Sequence, residues 1–143
     1  MGPRGDRRGD RLLARAAKQR RPGPYQLQAA IVACHAEADR WEDTDWEQIV
    51  LLYDMLLALA PSPVTRLHRA VALRYSSGPR AAMTELDALA GALDRYHLYH
   101  ATRAELLREL GHPHQARAAD RLALELTANP AEQAVLQQRI TWT

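Results

Sequence analysis

The sequence predicts an all-α protein built from seven or eight short helices stacked as antiparallel pairs. Alanine (26) and leucine (21) fill a third of the 143 positions, while valine (5), isoleucine (3) and phenylalanine (0) are scarce. Helix formers therefore dominate and strand formers are rare. Apolar residues recur every three to four positions over long stretches. Proline and glycine punctuate those stretches and mark where each helix starts and stops.

Residues 1–9 hold three glycines and a proline and are expected to be disordered. A short helix is expected from Asp10 to about Gln19, stopped by Pro22-Gly23-Pro24. The second helix should run from Pro24 to Ala38, with Leu27, Ile31, Cys34 and Ala38 on one stripe. A charged loop, Asp39 to Asp45, follows. Thr44 and Glu47 have capping-box spacing, so the third helix should begin near Asp45. Its stripe is Trp46, Ile49, Val50, Tyr53, Leu56, Leu57 and Ala60. Ser62 can cap the fourth helix, with Pro63 at its first position, where a missing N–H costs nothing. That helix should reach Tyr75. Pro79 opens the fifth helix, which ends near Ala90 with Gly91 as its stop. Asp94 can cap the sixth, to Leu110. The seventh covers Pro113 to Thr127. Asn129 should cap the eighth, to about Ile140, with Glu132 reaching back to the cap. The connections are two to six residues long, which forces neighbouring helices antiparallel.

Two segments share a plan. Pro63–Gly91 and Tyr96–Pro130 each read helix, Gly-containing turn, helix, and the turn glycines Gly78 and Gly111 lie 33 positions apart. This spacing resembles the tetratricopeptide period of about 34 residues. Ala104, Ala116 and Ala123, with Ala82 or Met83 in the first copy, supply the small residues needed where paired helices cross closely. Asp120 departs from the pattern, which prefers an aromatic there. The expected architecture is a short tetratricopeptide-like superhelix over residues 22–143, preceded by a basic leader over residues 1–21. Such stacks offer a concave surface to partner segments.

Charge is unevenly distributed. Residues 1–21 hold eight basic and two acidic residues, whereas the rest of the chain is net acidic although the whole carries +2. Direct DNA binding by the folded body is therefore not expected. No stretch reaches the roughly 20 apolar residues of a membrane span. The single Cys34 excludes an intramolecular disulfide and a cysteine-based zinc motif, as suits a reducing cytoplasm.

A search for chemistry finds no phosphate-cradling glycine loop, no GxSxG and no HExxH. Cys34 and His35 are adjacent on a helix and point about 100° apart, so they do not form a nucleophile–base pair. Cys34 reads as a small buried hydrophobe. His97 and His100 share a helix face and make half a metal site at most, which His35 or Glu37 would have to complete. The stronger reading of Tyr96 to His100 is a mixed apolar and hydrogen-bonding seam. Tyr25, Trp46 and Tyr53 read first as core or seam. Arg69, Arg74 and Arg103 project from first helices of the pairs, where they can grip an acidic peptide or stay solvated. No catalytic residue, metal or cofactor is assigned.

Several strings carry a resemblance. They include Gly23-Pro24-Tyr25-Gln26-Leu27-Gln28-Ala29-Ala30-Ile31, Cys34-His35-Ala36 and Asp43-Thr44-Asp45-Trp46. Later come Arg69-Ala70-Val71-Ala72, Tyr96-His97-Leu98-Tyr99-His100-Ala101 and Asn129-Pro130-Ala131-Glu132-Gln133. In this order they resemble the C-terminal, tetratricopeptide-like extension of extracytoplasmic-function RNA polymerase sigma factors, over residues 10–140. His68 and Val135 depart from it, standing where Asn and an aromatic are expected. The family's DNA- and polymerase-binding regions would precede this segment. The resemblance implies a non-catalytic module that regulates transcription through contacts with sigma regions, the polymerase or a regulator. The candidate partner-binding residues are Tyr25, Gln26, His35, Trp46, Arg69, Tyr96, His97, His100 and Arg103. Two other functions fit the same sequence: a free-standing peptide-binding adaptor and a histidine-based metal or ligand sensor.

Overall fold

The computed structural model describes residues 23–142. The expected disorder of residues 1–9 and the helix expected over Asp10–Gln19 fall outside the described residues. Among those described there are seven α-helices and no strand. They are α1 (Pro24–Glu37), α2 (Trp46–Leu59), α3 (Pro63–Ser77), α4 (Pro79–Leu89), α5 (His97–Glu109), α6 (Pro113–Leu126) and α7 (Pro130–Trp142), with a single 3-10 turn at Trp41–Asp43. The all-α expectation is met. The chain divides into two compact units, one ending at Ser76 and the other beginning at Ser77.

The first unit packs α1 against α2 around an aliphatic core. Leu27, Ala30, Ile31, Cys34, Ile49, Leu52, Leu56 and Ala72 form it, with Trp46, Val50, Tyr53 and Met55 against its edge. Leu27, Ile49 and Leu52 are completely buried. Each such side chain contributes about 1.5–3 kcal/mol by leaving water. Leu52 was not on the expected stripe of its helix. Trp46 and Tyr53, which were, sit half-buried at the margin. Helices α2 and α3 run antiparallel. Their contacts step backward along α3 as they step forward along α2, from Trp46 on Tyr75 to Asp54 on Arg69.

The second unit holds α4 to α7. The same stepping makes α6 and α7 antiparallel, from Asp120 on Arg139 to Thr127 on Glu132. Helices α5 and α6 meet through Ala104, Leu107, Ala116 and Ala119. Ala82, Ala104, Ala116 and Ala123 are completely buried. The small-residue positions of the repeat therefore lie inside, as close packing requires. Gly78 and Gly111, the two turn glycines, have φ of 96° and 86°. Positive φ of this kind costs an L-residue with a side chain roughly 1–3 kcal/mol, which explains glycine at both turns.

Four local expectations need correction. The α2 cap is Asp45, whose carboxylate accepts the Gln48 N–H at 3.1 Å, not Thr44. Asp94 does not cap α5. Tyr96 holds that position without a side-chain bond, and the Asp94 carbonyl lies 2.6 Å from His100 Nε2 instead. Gly91 is not among the positive-φ glycines. Helix α4 closes through Ala90, which keeps a right-handed helical conformation. At α7, Asn129 Oδ1 accepts from the Ala131 and Glu132 amides as expected. The Glu132 carboxylate, however, turns to the Thr127 hydroxyl at 2.6 Å rather than to the cap N–H. Thr127 Oγ1 takes that Asn129 N–H, at 3.2 Å.

Candidate functional site

In the first unit, four local devices bring four rings together. Helix α1 places His35 in its last turn. The 3-10 turn after it presents Trp41, and the Asp45 cap sets Trp46 at the first position of α2. The last turn of α3 supplies Tyr75. Trp46 and Tyr75 stack with centroids 4.6 Å apart, and Trp41 meets Tyr75 edge-on at 4.9 Å and Trp46 at 5.1 Å. His35 meets Trp46 at 5.4 Å. These separations lie in the favourable range for aromatic pairs. The inner side of Trp46 rests on the aliphatic core. The outer side of the cluster is open: Trp41 is 57% exposed and Tyr75 39%. The Arg74 guanidinium lies 5.2 Å from the Tyr75 ring centre, a cation–π contact.

The stretch that carries Trp41 is acidic, while Arg74 brings a positive charge to Tyr75. Between residues 37 and 47 the chain carries Glu37, Asp39, Glu42, Asp43, Asp45 and Glu47 against Arg40 alone. Arg40 pairs with Glu42 at 3.0 Å, but both side chains are mostly exposed, so that pair contributes little. Just beneath, Cys34 is buried, and its thiol is pushed up to about 11 by loss of solvation, with Asp45 and Glu37 adding to the rise. The buried-hydrophobe reading of Cys34 fits this setting.

The second unit is organised around a buried carboxylate. Asp120 is 0% exposed and lies 2.6 Å from Arg108 and 2.5 Å from Arg139. Arg139 also donates to the Ala101 carbonyl at 3.0 Å. One carboxylate thus ties α5, α6 and α7 together. The position that departs from the repeat pattern is thus the one that two guanidinium groups hold. Beside it, α5 and α7 enclose an apolar pocket of about 290 Å³ lined by Leu98, Ala101, Val135 and Leu136. Val135, which stands where an aromatic is expected, is 54% exposed on its wall.

The nine sequence-predicted residues divide among these places. His35 and Trp46 join the ring cluster. Tyr25 is 83% exposed on the first turn of α1, with Gln26 exposed beside it, at the end of the helix opposite His35. Tyr25 is therefore neither core nor seam. Arg69 is held by Asp54 at 2.7 Å. Tyr96 is half-buried against the His97 ring, 5.4 Å away. His97 lies 2.8 Å from Glu132 Oε2, off the axis of a hydrogen bond, at the polar rim of the apolar pocket. His100, buried, faces the Asp94 carbonyl. A carbonyl only accepts, so its Nε2 carries the proton. His97 and His100 thus have separate partners. Among the described residues no three His, Cys, Asp or Glu side chains gather around a point. Arg103 and His100 line a second cavity of about 510 Å³ with Asp87, Tyr99, Gln115 and Leu122. The Tyr99 hydroxyl donates to the Leu86 carbonyl at 3.1 Å, and burial raises its pKa against the opposing pull of Arg103.

Sequence reasoning missed Trp41 and Tyr75. For Trp41 a signal was present, a large apolar ring set among charged loop residues. Tyr75 read only as a helix end. Among the described residues no helix is long and apolar enough to cross a membrane.

No protein-family model matches the chain. No solved structure matches it either. An uncharacterized protein of Rhizobium meliloti (strain 1021) is 46% identical over 129 residues, which cover 90% of this chain and 30% of the relative. The chain therefore spans under a third of that relative's length.

Proposed function

We propose that this chain is a non-catalytic protein-interaction module acting in transcription regulation, in the manner of the C-terminal extension of an extracytoplasmic-function sigma factor. One observation carries the reading: a cluster of four contacting rings, rooted in the core, exposes Trp41 and Tyr75 to solvent. Tryptophan and tyrosine dominate binding hot spots because they bury large area at low entropic cost. A ring cluster already fixed by its neighbours loses little further freedom on binding. The motif strings that resemble the sigma extension include two of these rings, His35 and Trp46. The module would bind sigma regions, the polymerase or a regulator, without reactive groups of its own.

The test is association. The chain is mixed with separately expressed sigma regions from the same cell and followed by sedimentation velocity. A complex with micromolar Kd supports the reading, a range typical of weak modular contacts of about −8 kcal/mol. No complex at about 100 μM, roughly −5.5 kcal/mol, would contradict the link to sigma factors and leave a peptide-binding adaptor unconnected with transcription.

A further inference from the structure

We propose that the basic leader of this chain, residues 1–21, docks on the acidic aromatic face of the first unit around Trp41. The face has the chemistry of a guanidinium receptor. Trp41 offers an exposed indole, and the stretch from residue 37 to 47 holds six carboxylates, of which Asp45 caps α2 and Glu42 pairs with Arg40. Arg74 already shows the geometry once, over Tyr75 at 5.2 Å. Trp41, 57% exposed, offers a further ring.

The leader has the matching composition. Seven of its eight basic residues are arginine, and only Asp6 and Asp10 oppose them. Arginine stacks on aromatic rings more readily than lysine and is less strongly hydrated. Reach is sufficient. The leader joins the body at Gly23, the cap of α1, and Trp41 follows the far end of that helix. Fourteen helical residues span about 21 Å, whereas 22 extended residues span up to about 70 Å. A tethered segment also acts at roughly millimolar effective concentration, so individually weak contacts suffice. This goes beyond the interaction-module reading, because it concerns a contact within the chain. It adds one consequence: an external partner on the same face must displace the leader.

The test uses the full chain with a nitroxide on Gly5→Cys. Cys34 is buried with a raised thiol and does not compete for the label. The readout is the Trp41 indole Nε1–H signal in a 15N spectrum. At about 50 mM salt its intensity should fall below half of that with the reduced label, and it should recover at about 1 M, where screening is nearly complete. An Arg7→Glu, Arg8→Glu, Arg11→Glu, Arg15→Glu variant should show no loss. Equal intensities in both label states at low salt would overturn the proposal. So would loss that persists in the charge-reversed variant. A third sample mixes labelled 14N chain with unlabelled 15N chain. Loss confined to the singly labelled chains supports docking in cis, whereas equal loss in the mixture assigns the face to a second copy and overturns it. None of these results depends on whether sigma regions bind.

Discussion

The two units use the same helix pairs and close them in different ways. The first unit is held mainly by aliphatic packing, with Gln48 as a buried polar side chain and no buried ion pair among the described residues, and its rings spread outward at one end. The second buries Asp120, Thr127 and His100 and ties three helices through one carboxylate. Apolar packing is tolerant of exchange but offers no directional constraint. A buried carboxylate between two arginines constrains register strongly, at a desolvation cost that favourable geometry must offset. The first unit can therefore spare its aromatics for a surface role. The second spends its polar groups on its own assembly.

The comparison breaks most sharply at Asp120. Asp120→Ala leaves Arg108 and Arg139 facing each other in a largely buried setting. Loss of one partner of a buried ion pair costs about 3–5 kcal/mol, read as a lower urea midpoint for the second unit. An Arg108→Met, Asp120→Leu, Arg139→Met triple variant should recover most of that loss. If Asp120→Ala is neutral, the ionic tie is not what closes the second unit.

Leu52→Ala is the counterpart in the first unit, where the residue is completely buried. It should cost about 2–5 kcal/mol and lower that unit's midpoint while leaving the second unchanged. Gly111→Ala should cost about 1–2 kcal/mol from backbone strain alone, because nothing lies within 4 Å of the added carbon. Gly78→Ala should cost about 1–3 kcal/mol, because its φ of 96° with ψ of 167° lies in a region that is essentially reserved for glycine. Asp45→Ala should cost about 1 kcal/mol through the lost cap. It would also loosen Trp46, so indole emission should shift red.

The smallest effect is a dependence on alkaline pH. The Cys34 thiol is raised from 9.0 to about 11 in the folded state. Below 9 both states keep the proton and stability is constant. Between about 9 and 11 only the unfolded chain ionises, so stability falls as pH rises through that window. A Cys34→Ala variant should lack this slope in denaturant titrations. A disulfide reagent at pH 8 should label Cys34 slowly in the native chain and promptly in the unfolded one.

Most of the fold is legible in the punctuation. Pro24, Pro63, Pro79, Pro113 and Pro130 each open a helix at its first position, because their fixed φ and missing N–H suit that place and no other in a helix. The two helices that begin without proline, at Trp46 and His97, are the two whose caps were misplaced. Thr44 and Asp94 had the right side chains. Cap choice is decided by where the preceding loop runs, and that loop is shaped by Trp41 in one case and by His100 in the other. The candidate site was half legible. His35 and Trp46 carry helical spacing and a motif, so they could be named. Trp41 and Tyr75 meet them only through tertiary packing, which periodicity does not encode. The same limit hid the partners of Asp120, drawn from α5 and α7.

The most direct test of the account compares one variant from each unit in calorimetric titration with the sigma regions. Trp41→Ala removes the exposed ring of the first unit, and Leu98→Ala removes an exposed apolar side chain from the second. The account predicts about tenfold weaker binding for Trp41→Ala, on the scale of a hot-spot residue, and an unchanged Kd for Leu98→Ala. An unchanged Kd for Trp41→Ala, with binding lost in Leu98→Ala, would contradict it.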